Sequence, residues 1–63
     1  MERKNFEHLV KKPNTKILLK PQGFRLIGVI EELYDDCFKF TTCQQTSYID
    51  YDSVMSVIWT EDR

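Results

Sequence analysis

The sequence predicts a mainly β domain: a small open barrel of five strongly bent antiparallel strands, preceded by a short N-terminal α-helix. Three observations predict it. From Thr15 to Trp59, β-branched and aromatic residues alternate with polar ones, the period of a half-buried strand. Clusters of Gly, Pro, Asp and Gln interrupt these runs at the short, regular spacing of a small all-β fold. Gly28 interrupts the longest run where its alternation changes phase.

Residues 2–12 form the predicted helix. Phe6, Leu9 and Val10 fall at i, i+3 and i+4 and make one apolar face, with Glu2, Arg3, Lys4, Glu7, Lys11 and Lys12 around the rest. Asn5 is a candidate cap, Lys11 and Lys12 complement the dipole of the last turn, and Pro13-Asn14 stops the helix. A helix this short does not persist alone, so its apolar face must pack on the barrel. The first predicted strand is 16–20, followed by a Pro21-Gln22-Gly23 turn, and the second is 24–33. Within the second, Phe24 and Leu26 follow one phase and Ile27, Val29 and Leu33 the other, which makes Gly28 the candidate hinge where one strand bends to serve two sheets. Tyr34-Asp35-Asp36 breaks the pattern before strand 37–42, and a polar Cys43-Gln44-Gln45 tip leads to strand 46–51. After Asp52-Ser53 comes 54–59, the most apolar run of the chain. The expectation is one domain over 1–63, with the barrel over 15–60 and no repeats or linkers.

At 63 residues, 41% hydrophobic and 30% charged, the chain is globular and near the lower limit for a self-sufficient core. A net charge of −1 excludes a surface that attracts nucleic acid everywhere, but not a local basic patch. No apolar run approaches the roughly 18–20 residues that span a bilayer, and Met1-Glu2-Arg3-Lys4-Asn5 has no apolar signal core behind it. The expected address is the cytoplasm, with no membrane partner. Cys37 and Cys43 are expected as reduced thiols; with one histidine they are too few for a structural zinc site. His8 has no serine or cysteine partner in sequence. Asp35, Asp36, Asp50 and Asp52 could offer oxygen ligands to a divalent cation, but turn chemistry explains aspartates at these places better. Neither an enzyme, nor a cofactor, nor a metal, nor a small-molecule substrate is expected.

The order of short helix, strand, tight Gly turn, long strand with an inner glycine, acidic turn and three further strands resembles the Sm/LSm/Hfq superfamily. Gly28-Val29-Ile30-Glu31-Glu32-Leu33-Tyr34-Asp35-Asp36 looks like its first signature, and Ile49-Asp50-Tyr51-Asp52-Ser53-Val54-Met55-Ser56-Val57-Ile58 like its second. Phe6-Glu7-His8-Leu9-Val10-Lys11-Lys12 is closest to the bacterial Hfq-type branch, where an apolar helix ends in basic residues. The resemblance implies an Sm-like (SH3-like) open barrel. It also implies a homo-oligomeric ring of roughly five to seven subunits in which the fourth strand of one subunit pairs with the fifth of the next. Tyr48, Ile49, Val54, Met55, Val57 and Ile58 would then form the subunit interface. An open barrel leaves two unpaired edges, which independently favours association.

The resemblance further implies single-stranded RNA as a partner, met in three regions. On the distal-type face, opposite the pore, Leu19, Gly23, Phe24 and Arg25 match positions used for purine-rich strands, Phe24 and Arg25 being suited to stacking and phosphate neutralisation. On the rim, Lys11, Lys12 and Lys16 could track a backbone. At the pore, Asp36, Cys37 and Tyr51 occupy the contacting positions, but Asp50 stands about where the basic residue belongs, and a ring of such acids repels phosphate. For each region an ordinary structural role is the alternative: Phe24 and Tyr51 as packing residues, the cations as solvated surface. Two other functions remain open, an Sm-like ring that is a protein scaffold without RNA binding, and a monomeric SH3-like module whose groove is lined by Tyr34, Tyr48, Tyr51 and Trp59.

Overall fold

The computed structural model describes residues 1–59. Its strands are β1 (Thr15–Leu19), β2 (Phe24–Leu33), β3 (Cys37–Thr41), β4 (Thr46–Asp50) and β5 (Val54–Ile58). All neighbours are antiparallel, and the strands form one open sheet in the order β4-β3-β2-β1-β5. The mainly β architecture and all five strands are therefore those predicted from the sequence. Boundaries move by a residue: β1 takes in Thr15 and releases Lys20 to the turn, and Tyr51 leaves the fourth strand for a 3-10 turn, Tyr51–Ser53, that joins β4 to β5. Thr60, the last residue of the predicted barrel, lies outside the described residues.

β2 connects the two halves of the sheet. Phe24 to Gly28 pair with β1, whereas Val29 to Leu33 pair with β3, so the exchange of partners falls at Gly28. A Cβ added to Gly28 would collide with the backbone carbonyl oxygen of Thr41. The glycine is thus required for room. Gly23, by contrast, is required for conformation: its φ of 73° closes the β1–β2 turn, where its amide donates to the Leu19 carbonyl at 2.8 Å. The pairing of β2 with β3 also skips Glu31, an extra residue between the Ile30↔Phe40 and Glu32↔Lys39 pairs. This bulge twists the strand further, beyond the single hinge at Gly28 that the sequence pattern indicates.

The N-terminal segment departs from the predicted α-helix over 2–12. It makes two 3-10 turns, Arg3–Asn5 and Glu7–Leu9, and then runs extended. In a 3-10 turn residues i and i+3 eclipse, which sends Phe6 and Leu9 into the core together without an i+4 partner. Val10 is released to form a parallel bridge with Ile30, and the Lys11 amide donates to the Ile30 carbonyl at 2.8 Å. The segment thereby occupies the side of β2 that β1 has left. Asn5 makes no cap; instead Lys11 and Asn14 take positive φ, 70° and 60°, and turn the chain into β1. The buried Thr15 hydroxyl donates to the Lys12 carbonyl at 2.9 Å and pins that turn.

The core is an aromatic stack closed from below by aliphatic side chains. Phe6 lies on Phe38 with ring centroids 4.9 Å apart, and Tyr51 meets both, at 5.4 and 5.6 Å. Phe40 stands edge-on to Phe38 at 6.2 Å, and Ile17, Ile30 and Val54 are fully buried around these rings. Ile49 and Val54, expected at a subunit interface, belong to this core, because Phe38 and Ile49 share one inward-facing row of β3 and β4 and Val54 opens β5 beneath it.

Two substitutions test this account by chemical and thermal unfolding. Phe6→Ala is expected to cost about 3–5 kcal/mol, as for a buried aromatic in a close-packed site. Gly28→Ala is expected to lower the melting temperature more than Gly23→Ala, because the first meets backbone and the second open space.

Candidate functional site

The sequence-predicted residues of the distal-type face all lie on the β1–β2 hairpin, but not as one cluster. Consecutive strand residues point to opposite faces. Phe24 sits opposite Leu19 at the turn end, on the row that continues into the core, and is 62% exposed. Arg25 sits opposite Leu18, on the outer face. The expected side-by-side Phe24–Arg25 pair is therefore not formed. The outer face instead carries Arg25 and Lys16, with Ile27 and Ile58 exposed on either side of Lys16 in one cross-strand row. Leu19 is half-buried and Gly23 serves the turn.

The three rim lysines separate as well. Lys11 Nζ lies 2.7 Å from Glu31 Oε1, which holds the Glu31 carboxyl below its usual range and the Lys11 ammonium above its own. Lys12 Nζ stands 5.1 Å above the Trp59 ring, whose Nε1 donates to the Pro13 carbonyl at 2.8 Å. Lys16 remains as a solvent-facing cation adjoining Arg25's face.

A cleft of about 550 Å³ is lined by Glu2, Arg3, Asp35, Asp36, Asp50 and Asp52, together with Met1 and Tyr51. Both signature turns contribute, so the four aspartates do converge. Arg3 reaches Asp35 at 3.7 Å and the terminal amine of Met1 donates to the Tyr51 carbonyl at 2.9 Å. Among the described residues, no group of three or more His, Cys, Asp or Glu side chains is placed to hold a metal ion. Tyr51 is not available to stack a base: it is 6% exposed, and its hydroxyl donates to the Tyr34 carbonyl at 2.7 Å. Burial pushes its phenol above the usual range. Cys37, half-buried on the outer face opposite Asp50, and Asp36, exposed, lie beside this acidic end; Cys37 and Cys43 are free thiols.

The remaining interface candidates divide by exposure. Met55 and Ile58 on β5 and Tyr48 on β4 are exposed, while Val57 is half-buried opposite Ile17. Met55 is the extra residue of a bulge between the Leu18↔Ser56 and Leu19↔Val54 pairs. The groove of four aromatics expected of a peptide-binding module is not assembled, because Tyr51 is in the core and Trp59 is held at Pro13. Tyr34 and Tyr48 alone meet, with ring centroids 6.2 Å apart and planes at 54°. The Tyr34 hydroxyl donates to Glu32 Oε1 at 2.7 Å. That bond, with some desolvation, pushes its pKa up to about 12.

Comparison with protein-family models, with curated proteins and with solved structures finds no match to this chain. Among the described residues no helix is long and apolar enough to cross a membrane.

The Tyr34–Glu32 bond has a measurable signature. The fold holds the Tyr34 proton more tightly than the unfolded chain does, so the bond's contribution is present below pH 10.0 and is lost as pH rises through about 12. Ultraviolet titration of the folded protein is expected to show one tyrosine ionising near 12, and Glu32→Gln is expected to return it towards 10.0. A titration unchanged by Glu32→Gln would place the cause elsewhere.

Proposed function

We propose that this chain is an Sm-like subunit that assembles into a homo-oligomeric ring and binds single-stranded RNA without catalysing a reaction on it. The observation that carries the RNA reading is the β1–β2 hairpin: Phe24 is exposed at its turn, and Lys16 and Arg25 flank exposed Ile27 on its outer face. An exposed aromatic offers a base a stacking surface, and two cations on one strand pair can follow a phosphate backbone. The four aspartates of the cleft repel phosphate, which favours the outer face of the hairpin as the place where a strand can lie.

Assembly is supported by the sheet order. β4 and β5 are the two edges, and β5 presents the large apolar side chains of Met55 and Ile58 to solvent. Pairing of β4 with β5 of a second copy would satisfy both edges in every subunit with one kind of contact, and a rotation that closes yields a ring. The acidic cleft favours a second reading, in which the ring is a protein scaffold that does not engage RNA.

Native mass spectrometry before and after nuclease treatment separates these readings. The expected species is a closed ring with nuclease-sensitive mass; a bare ring that does not bind RNA at low salt would establish the scaffold, and a monomer would remove both. Ile58→Asp, which places a charge on the β5 edge, is expected to give folded monomers. The double variant Lys16→Ala, Arg25→Ala is expected to bind single-stranded RNA on the order of tenfold more weakly, with a salt slope shallower by about 0.7 for each phosphate that is no longer neutralised. Phe24→Ala is expected to cost about 1–3 kcal/mol of RNA affinity, as for the removal of one stacking platform.

A further inference from the structure

The outer face of β3 and β4 carries a group of side chains that neither the core nor the proposed RNA surface uses. Phe38 and Phe40 point inward from β3, so Lys39 between them points outward, and its cross-strand neighbours Glu32 and Tyr48 share that face. Asp50, two residues beyond Tyr48 on the same strand, faces the same way, opposite Cys37. Tyr34 follows the end of β2 and turns its ring towards Tyr48.

Tyr34 is held unusually firmly for an exposed side chain. Its amide donates to the Cys37 carbonyl at 2.8 Å, its carbonyl accepts from the Tyr51 hydroxyl at 2.7 Å, and its own hydroxyl donates to Glu32 at 2.7 Å. Backbone and ring tip are both anchored, yet the residue is 38% exposed and its neighbour Tyr48 63% exposed. The Tyr48 ring, left this far in water, gains little from burial, whereas Tyr34 is positioned by its hydrogen bonds as well as by the contacts that cover most of it. The two planes, tilted at 54°, make an open V with a carboxylate at one tip.

The charge around this V selects its ligand. Glu32 and Asp50 lie on the face and Asp35 follows Tyr34 directly, with Arg3 3.7 Å from the Asp35 carboxylate on the side of the N-terminal segment. Lys39 is the cation of the row; its field reaches Glu31, whose carboxyl it helps to keep ionised. The cation–π contact among the described residues is Lys12 over Trp59, which involves neither tyrosine. Electron-rich ring faces beside carboxylates repel a phosphate backbone and attract a cation, and a planar guanidinium can stack on a tyrosine while bonding a carboxylate.

We propose that Tyr34, Tyr48 and Glu32 form a recognition site for an arginine side chain on a basic segment of a partner protein. The guanidinium stacks on the exposed face of the Tyr48 ring, against the Glu32 oxygen that the Tyr34 hydroxyl does not occupy. Strand addition at the β4 edge consumes backbone groups in the plane of the sheet and leaves its face open, so the site is independent of the ring and of RNA.

The test is an NMR titration of the intact protein with a short Gly/Ser peptide carrying one arginine, against the same peptide with neutral citrulline. Saturable shifts of the Tyr34 and Tyr48 ring resonances with the arginine peptide alone are expected. Tyr48→Ala and Glu32→Gln are each expected to weaken binding on the order of tenfold, and Phe24→Ala to leave it unchanged. Tyr48 is exposed, and a dispersed spectrum verifies that its variant folds; Tyr34→Phe, which keeps the ring but releases Glu32, supplies a second reading with an intermediate loss. The proposal is overturned if the two peptides act alike or neither saturates at millimolar concentration. It is equally overturned if binding persists in Tyr48→Ala and maps to the aspartate cleft, or if single-stranded RNA rather than the peptide shifts the two rings.

Discussion

The close approach of β2 and the end of β3 at Gly28 is the constraint on which the rest of the structure depends. A side chain there would meet the Thr41 carbonyl, so only glycine lets the two backbones come together where β2 changes partners. Because β2 changes partners, β1 and β3 lie on opposite sides of it and the sheet order follows, with β4 and β5 at its ends. Because β1 begins only at Thr15, opposite Gly28, the later half of β2 has a vacant side, which Val10 and Lys11 fill. The N-terminal segment is then in place to set Phe6 against both Phe38 and Tyr51. One missing Cβ thus sets the topology, the free edges and the closure of the core.

Charge is segregated rather than mixed. A net charge of −1 conceals a hairpin face bearing Lys16 and Arg25, and a cleft where four aspartates gather. Lys11 and Lys12 complete the separation by being engaged elsewhere, one by Glu31 and the other by Trp59. Such an arrangement gives the molecule two chemically distinct surfaces, a cationic hairpin face and an acidic cleft. Tyr51 joins the core to the acidic end mechanically: its ring is a core residue, and its hydroxyl fixes the backbone of Tyr34.

Most of the fold is legible because the strands alternate and their turns carry distinctive residues. Gly28 announces the bend through the phase change around it, and Gly23 announces the turn. The helix misleads because Phe6, Leu9 and Val10 satisfy an α period, whereas only Phe6 and Leu9 share a destination; the competing pull on Val10 is a bridge to Ile30, a contact between distant positions that local pattern does not encode. The Glu31 bulge leaves a trace, two successive glutamates in an alternating run. The site is less legible. Phe24 and Arg25 are neighbours in sequence and therefore on opposite faces of a strand. The burial of Tyr51 depends on two phenylalanines from elsewhere in the chain. Tyr34 and Tyr48 are recognisable as candidate groove aromatics, but their pairing without Tyr51 and Trp59 requires the sheet register.

The bond from Trp59 to the Pro13 carbonyl spans 46 positions of sequence and holds the end of β5 against the exit of the N-terminal segment. Trp59 is the one tryptophan of the chain. Its indole, with the Lys12 ammonium over the ring, is therefore a built-in optical probe at a single seam. Emission from it reports whether that seam is closed, separately from the tyrosines and phenylalanines that report the integrity of the core. A loosening of residues 1–13 that leaves the five strands paired would change its colour and quenching before any loss of β-sheet signal, so one chromophore distinguishes partial opening from global unfolding.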